Sequence, residues 1–120
     1  MIELRDATAA DWEEYFESPP PGTFRGVVGK LDGKIVGIGG VVYENGNPRA
    51  FMDLTAEGAK HPRDIIRATR MMEKKMEAKH HIVFAIASDD ERAPGFLKHF
   101  GFEYLGSTKN GATYQWLNGR

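Results

Sequence analysis

The sequence has no cysteine, no long apolar run and almost no net charge, and each absence excludes a class of protein. Without cysteine, the chain forms no disulfide, binds no zinc through thiolates and uses no cysteine nucleophile. Adjacent His80 and His81 cannot face one metal together from a regular element, so we predict no metal site.

No apolar run approaches the roughly 20 residues needed to span a bilayer. The charged start MIELRDA does not fit a signal peptide, and a net charge of −1 gives no overall field for nucleic acid or an anionic membrane. We therefore expect a cytoplasmic protein without nucleic-acid or membrane partners.

What the sequence does contain is typical of one compact domain. Its 120 residues are enough for one hydrophobic core and too few for a second. The hydrophobic content of 41% and the charged content of 28% place it among ordinary globular proteins. No internal repeat or linker divides the chain, so we predict a single domain over residues 1–120.

The first half of the chain predicts a strand, a short helix and an antiparallel meander. Ile2 and Leu4 alternate with polar neighbours as in a strand, and Thr8 with Asp11 forms a capping-box pattern that begins a helix. That helix must end before Pro19–Pro21, because proline cannot continue it. Strand patterns follow at Phe24–Leu31, Lys34–Tyr43 and Arg49–Thr55, with turns at Asp32–Gly33 and Glu44–Pro48.

The second half begins with the longest helical pattern, Pro62–Lys79. Ile65, Thr69, Met72 and Met76 fall on one face of this helix, and proline suits its first turn. The remaining predicted elements are a strand at Ile82–Ala87, a helix from Asp90, and strands at Phe102–Leu105 and Thr113–Leu117 with a turn near Asn110 and Gly111. The predicted order is therefore β, α, β, β, β, α, β, α, β, β.

The run from Asp90 to Tyr104, DERAPGFLKHFGFEY, carries the most specific pattern. Phe96 and Phe100 lie four residues apart on one helical face, and Gly101 suits a left-handed residue just past a helix end. The run resembles the C-terminal motif of the GNAT superfamily of acyltransferases, N-E-R-A-x-x-x-Y-x-x-x-G-F. Asp90 takes the Asn position and Leu97 takes the Tyr position. The matching residues are Glu91, Arg92, Ala93, Gly101 and Phe102.

The order of elements also resembles the GNAT order over nearly the whole chain. The exception follows the first helix, where GNAT proteins usually carry a second helix and this chain has its proline loop. The resemblance implies an α/β (α+β) fold: a single GNAT-like domain with a mixed, mostly antiparallel central sheet of about six to seven strands flanked by three helices. It further implies acyl transfer, with acetyl-CoA the expected donor, to a small-molecule or peptide amine within a ternary complex. A homodimer is compatible with an exposed last strand.

The resemblance places the acyl donor where the strand ending near Thr55 meets the helix that begins at Pro62. GNAT proteins cradle the coenzyme A pyrophosphate there with the motif Q/R-x-x-G-x-G/A, whereas this chain has EGAKHPRD at residues 57–64. Basic residues of this stretch can replace backbone donors with charged ones, although Glu57 and Asp64 bring negative charge. The implied donor-binding residues are Leu54, Thr55, Gly58, Lys60, His61, Arg63, Asp90, Ala93, Phe96 and Leu97.

Acyl transfer to an amine needs a base and often an acid. Three groups near the predicted site are candidate bases: Asp53, Glu57 and His61. We favour Glu57, because it lies just beyond the third strand of the meander, near where several relatives place a base. Many GNAT enzymes protonate the leaving thiolate with the Tyr that Leu97 replaces, so Tyr104 and Tyr114 are the candidate acids. The structural alternatives are a solvated loop carboxylate for Glu57 and core-packing strand aromatics for the two tyrosines.

A second interpretation is a catalytically degenerate GNAT-like module that acts as a binding or structural protein. It explains two departures from the motifs at once, Leu97 and the lone Gly58. The short N-terminal region, the basic long helix and the run FLKHFGF also resemble, more loosely, small GNAT-like proteins of tailed phages, some of them virion-associated. The basic stripe on the long helix is a solvated face, or contacts the 3′-phosphate of the cofactor or an acidic partner. Its residues are Arg63, Arg67, Arg70 and Lys74.

Overall fold

The computed structural model describes residues 2–80, 82–86, 93–109 and 111–118. The strands are β1 (Glu3–Asp6), β2 (Phe24–Leu31), β3 (Lys34–Glu44), β4 (Asn47–Leu54), β5 (Ile82–Ile86), β6 (Glu103–Thr108) and β7 (Gly111–Leu117). The helices are α1 (Ala9–Phe16), α2 (Pro62–Lys79) and α3 (Ala93–His99), and a 3₁₀ turn spans Gly58–Lys60. The predicted order of strands and helices is confirmed, whereas the 3₁₀ turn was not predicted. None of the described helices is long and apolar enough to cross a membrane.

The strands form one sheet in the order β1-β2-β3-β4-β5-β7-β6. Neighbouring strands are antiparallel except β4 and β5, which run parallel, so the predicted mixed, mostly antiparallel sheet is confirmed. The β4–β5 ladder pairs Arg49 with Phe84 and Ala50 with Ala85. Because β4 continues to Leu54, the two strands separate after Ala50 within the described residues. A wedge therefore opens in the middle of the sheet.

Helix α1 begins at the predicted capping box. The Asp11 N–H donates to Thr8 Oγ1 (3.2 Å), and the Thr8 N–H donates to Asp11 Oδ2 (2.8 Å). Arg5 also donates two hydrogen bonds to the Asp11 carboxylate, at 2.7 and 2.8 Å, and these lower the pKa of Asp11 to about 2. The helix ends at Glu17, which is left-handed with φ 58°, before Pro19–Pro21. The ion pair between Arg5 and Asp11 thus links the first turn of helix α1 to β1.

The two hairpins of the meander differ in how well their turns were predicted. Asp32–Gly33 joins β2 to β3 as predicted, with φ of 53° and 80°. The predicted turn Glu44–Pro48 is wrong in extent, because Asn45–Gly46 alone makes the turn with φ of 53° and 79°. Asn-Gly suits the positive φ angles of a type I′ turn, so Glu44 pairs directly with Asn47 and both strands are longer than predicted.

The C-terminal hairpin is also longer than predicted. Strand β6 continues to Thr108 rather than ending at Leu105, because a register shift at Gly106 (φ 153°) lets pairing with β7 continue. Strand β6 lies at the edge of the sheet. Tyr104 is therefore 53% exposed and does not pack in the core as one interpretation expected, whereas Tyr114 is buried.

Each face of the sheet carries apolar packing. Helix α2 buries Thr69, Met72 and Met76 against one face, as its periodicity predicted. A glycine at position 39 makes this close packing possible, because a Cβ there would lie 2.8 Å from Met72 Sδ. On the other face, α1 packs Trp12 into an aromatic cluster with neighbouring centroids 4.6 to 5.1 Å apart. Its other members are Phe16, Phe24 and Phe51.

Candidate active site

A cleft of about 590 Å³ lies where β4 and β5 separate. Its walls come from β4, β5, α2 and α3 and are mostly apolar, including Ala50, Met72, Ala85, Phe96, Leu97 and Phe100. This volume falls within the roughly 300 to 1,000 Å³ range of small-molecule sites. The cleft is therefore large enough to enclose part of a ligand.

Strand β4 contributes side chains to both faces of the cleft. Met52 also lines a small apolar space beside α2, and successive side chains of a strand point to opposite faces. Phe51 and Asp53 accordingly face α1: the Phe51 ring lies 5.0 Å from Trp12, and the Tyr15 hydroxyl donates to Asp53 Oδ1 at 2.9 Å. Strand β4 thus presents Phe51 and Asp53 to α1, whereas the helical residues that line the cleft belong to α2 and α3.

The backbone of β4 forms a strand edge along this cleft. Residues from Phe51 to Leu54 pair with β3 on one side. On the other side, the ladder with β5 ends at Ala50 in the described part of the chain. Backbone N–H and C=O groups need hydrogen-bond partners, and an extended ligand that contains amides can pair with such an edge.

The loop between β4 and α2, residues 55–61, is folded on itself. Each N–H from Gly58 to His61 donates to an acceptor within residues 55–58, at 3.0 to 3.2 Å. A Cβ at Gly58 would lie 2.2 Å from the Val36 carbonyl oxygen, so close packing explains the glycine. These amides are already satisfied, unlike the free amides of an anion-binding helix start.

The charged side chains of this loop pair with one another on the surface. Lys60 Nζ lies 3.4 Å from a Glu57 carboxylate oxygen, and His61 lies 3.9 Å from carboxylate oxygens of both Glu57 and Asp64. Arg63 is exposed and has no ion pair among the described residues. Exposed ion pairs contribute little stability. An anionic ligand can therefore replace the carboxylates as the partner of these cations at a small cost in free energy.

The structure divides the predicted donor-binding residues into two groups. The cleft is lined by Leu54, Thr55, Ala93, Phe96 and Leu97. The adjoining loop and the first turn of α2 hold Gly58, Lys60, His61 and Arg63. Asp90 lies outside the described residues, as do Glu91 and Arg92. The binding roles of all these residues stay predictions.

The predicted catalytic groups are also placed differently from one another. Asp53 lines the cleft, whereas Glu57 lies in the loop with its side chain 53% exposed. Tyr104 is on the edge strand, where its hydroxyl lies 2.9 Å from Ser107 Oγ and its ring 5.5 Å from buried Tyr114. The roles of Glu57 and Tyr104 stay predictions, and Asp53 is the candidate base that reaches the cleft.

Two further polar groups were not singled out from the sequence: Tyr15, which donates a hydrogen bond to Asp53, and Glu73, which lines the cleft. Burial, and then the hydrogen bond to Asp53, raise the pKa of Tyr15, so its hydroxyl stays protonated. Glu73 of α2 lines the cleft, is half-buried and has no hydrogen bond or ion pair within the described residues. The helical period places Glu73 on the charged face of α2, and its helical spacing from Trp12 is the only sequence signal for Tyr15.

Several solved structures to which this chain is similar are acetyltransferases. A GNAT-family acetyltransferase from Streptococcus pneumoniae matches with a TM-score of 0.74 at 13% identity, over 99% of this chain and 100% of its own. An N-acetyltransferase from Staphylococcus aureus Mu50 matches with a TM-score of 0.72 at 11% identity, over 98% of each chain. A GNAT-superfamily phosphinothricin acetyltransferase from Sinorhizobium meliloti, solved in complex with AcCoA, matches with a TM-score of 0.70 at 17% identity, over 98% of this chain and 89% of its own. No protein-family model and no curated protein matches the sequence. Low identity with full-length structural agreement establishes the architecture, and this chain therefore has the GNAT fold.

Proposed function

We propose that the protein is an acyl-CoA-dependent N-acyltransferase that moves an acyl group, with acetyl the expected one, from coenzyme A to an amine. The observation that carries this proposal is the cleft that lies where β4 and β5 separate. On the α2 and α3 face it offers apolar walls and a strand edge. Asp53 is among the residues that line it, and its carboxylate accepts a hydrogen bond from Tyr15 of α1. An acceptor amine that reaches Asp53 could therefore meet a donor held in the cleft.

The donor suits the α2 and α3 face. Its pantetheine arm is extended and carries amides, so it can pair with the β4 edge after Ala50 in the way an added strand does. The apolar lining, with Phe96 and Leu97 among its residues, excludes water from the thioester. A structure of the same fold, the S. meliloti enzyme, is of a complex with AcCoA.

Charge rather than backbone amides would hold the donor diphosphate. The amides from Gly58 to His61 already donate within their own loop. The exposed cations Lys60 and Arg63 are beside the start of α2 and can bind phosphate oxygens through charged hydrogen bonds. Exposed charges are screened by salt, so donor affinity should depend on ionic strength.

Asp53 is the group we assign as general base. It would take one proton from the acceptor ammonium, and the free amine nitrogen would attack the thioester carbonyl carbon. The new C–N bond forms as the C–S bond breaks, the departing thiolate gains the second nitrogen proton, and Asp53 returns its proton to solvent. Leu97 supplies no proton, and general acid help is typically worth about 10²- to 10⁴-fold. Transfer would then depend on positioning and be slow.

Calorimetric titration with acetyl-CoA and with coenzyme A, followed by a thiol-release assay with amines, tests the proposal. We expect micromolar donor binding, about −8 kcal/mol. Asp53→Asn should keep that affinity and lower turnover by about 100-fold. Asp32→Asn is the matched control, because Asp32 is an exposed turn carboxylate whose left-handed backbone asparagine tolerates. Absence of heat and of thermal stabilisation at millimolar donor would overturn the proposal.

A non-catalytic GNAT-like binding module is the second candidate function. Two observations favour it: backbone N–H groups of the loop at residues 55–61 donate to acceptors within that loop, and Leu97 rather than a tyrosine lines the cleft. The same titrations separate the two functions. Coenzyme A binding without thiol release for any amine would favour the module, and its association with a virion stays a prediction.

A further inference from the structure

We infer that Glu73 of α2 makes the cleft selective for donors with an uncharged acyl group, so that thioesters whose acyl group ends in a carboxylate bind more weakly. The inference rests on the proposed function, because it places a pantetheine thioester in the cleft. It adds a residue that determines which thioester is bound, and binding of the thioester can be measured without an acceptor.

Acidic side chains are the only charged groups among the described residues that line the cleft. They are Asp53 of β4 and Glu73 of α2, and the other lining residues are uncharged. Lys60 and Arg63, the cations beside the start of α2, do not belong to this lining. A ligand carboxylate that enters the cleft would therefore meet charge of its own sign and no cation from the described walls.

Glu73 differs from Asp53 in its hydrogen bonding. It is half-buried and makes no hydrogen bond or ion pair with any described residue, whereas Asp53 accepts a hydrogen bond from Tyr15. Arg70 and Lys74 of the same helix are exposed and do not pair with it. A carboxylate that is partly removed from water and has no cationic partner repels a second carboxylate more strongly than an exposed one does, because less water lies between the two charges.

Glu73 lies near the end of the cleft at which β4 and β5 are still paired. It lines the cleft beside the turn of α2 that carries Met76. Met76 belongs to the same buried cluster as Ala85. Ala85 pairs with Ala50 in the last described rung of the β4–β5 ladder, and both alanines line the cleft. Helix α2 therefore brings a carboxylate to the point where the two strands separate.

The length of the donor arm matches the distance along α2. The proposed diphosphate site includes Arg63 in the first turn of α2, and the helical rise puts Glu73 about 15 Å further along the axis. A fully extended pantetheine arm has the chain length of about four amino-acid residues, or ~13 Å. With the diphosphate at Arg63, the acyl group at the other end of the arm would come close to Glu73.

The test compares two thioesters of equal size on the intact chain. Malonyl-CoA carries a terminal carboxylate, and isovaleryl-CoA has two methyl groups in place of the two carboxylate oxygens. We expect calorimetric titration of the wild type to give a Kd about tenfold higher for malonyl-CoA than for isovaleryl-CoA. The ratio of the two Kd values cancels what the rest of coenzyme A contributes, including the salt-dependent part at the loop.

Three variants assign this ratio to a residue. Glu73→Gln keeps the size of the side chain and removes its charge, so the ratio should fall below about threefold. Glu73→Lys should reverse the preference, because an ammonium attracts the malonyl carboxylate. Glu77→Gln is the matched control, since Glu77 is exposed one turn further along α2, and its ratio should stay near the wild-type value.

Equal affinity of the wild type for the two thioesters would overturn the inference, and so would a ratio that Glu73→Gln leaves unchanged. A ratio that Asp53→Asn abolishes and Glu73→Gln does not would assign the selectivity to Asp53 instead.

Acetyl-CoA is titrated into the same samples to separate this inference from the proposed function. Binding of acetyl-CoA with exclusion of both larger thioesters would show selection by size and overturn the inference alone. Binding of all three with equal affinity would also leave the proposed function standing without it. If none of the three binds, the proposed function and the inference fall together.

Discussion

The cleft between β4 and β5 and the loop before α2 are neighbours, yet they use their backbone hydrogen bonds in opposite ways. In the cleft, β4 continues past its last described pair with β5 and keeps an edge toward the cavity. In the loop, the N–H groups from Gly58 to His61 donate within residues 55–58. The described part of the fold thus leaves the β4 edge open at the cleft, whereas the amides from Gly58 to His61 already have acceptors. Shape and an acidic lining should decide recognition in the cleft, and cations should decide it at the loop.

The largest expected effect is on the loop. Gly58→Ala should lower the free energy of unfolding by about 3 kcal/mol, because the new Cβ would lie 2.2 Å from the Val36 carbonyl oxygen. Urea denaturation measures this change, and the donor Kd of the folded variant should stay near the wild-type value. Gly95→Ala is the control, since nothing lies within 4 Å of a Cβ there; it should be neutral or slightly stabilising. A stable Gly58→Ala protein that has lost donor binding would show that the glycine serves the ligand.

The next largest effect is on the stability that Asp11 gives to helix α1. The folded pKa of Asp11 is about 2, lowered first by the hydrogen bond from Arg5, against about 3.9 in an unfolded chain. The stabilisation, about 2 kcal/mol, is fully present above the unfolded pKa and is lost as pH falls through the folded one. Denaturation of wild type and Asp11→Asn from about pH 5 to pH 2 should therefore converge at low pH. Parallel curves would contradict this, and Asp32→Asn should behave as wild type.

A smaller effect should follow from restoring the missing acid in the cleft. Leu97→Tyr should raise turnover in the thiol-release assay about tenfold, or about 1.4 kcal/mol in the barrier, because a hydroxyl could protonate the thiolate. Leu97 lines the cleft and packs against the core, so Leu97→Phe is the control for ring size. Equal rates for the Phe and Tyr variants would show that the hydroxyl has no part in the reaction.

The smallest effect should be on donor affinity at the loop. Raising ionic strength from about 0.01 M to 0.15 M should weaken acetyl-CoA about fivefold, because the diphosphate meets exposed charges. Arg63→Ala should flatten this dependence, whereas Arg70→Ala, two turns further along α2, should leave it unchanged. A salt dependence that both variants keep would place the diphosphate away from Arg63.

Local patterns predicted the elements of this fold well, and they failed where non-local geometry decides. The capping box of Thr8 and Asp11 and the buried face of α2 follow from spacing along a few turns, and both are confirmed. The choice of Glu57 over Asp53 as base stays a prediction, and it depends on which face Asp53 takes on β4 and on where β4 leaves β5. Neither can be read from one strand alone. The 3₁₀ turn at Gly58–Lys60 depends on hydrogen bonds back to residues 55–58, which the pyrophosphate-binding motif of GNAT proteins does not indicate.

The short parallel ladder also has a consequence for dynamics. Few backbone pairs join β1–β4 to β5–β7 in the described residues, and the two parts also meet in one buried cluster that contains Val41 of β3, Met76 of α2 and Val83 of β5. We expect native-state hydrogen exchange to show two cooperative units, with β6 and β7 opening at lower free energy than β2 and β3. A ligand that spans the wedge would raise the protection of both units together, and a ligand confined to one face would not.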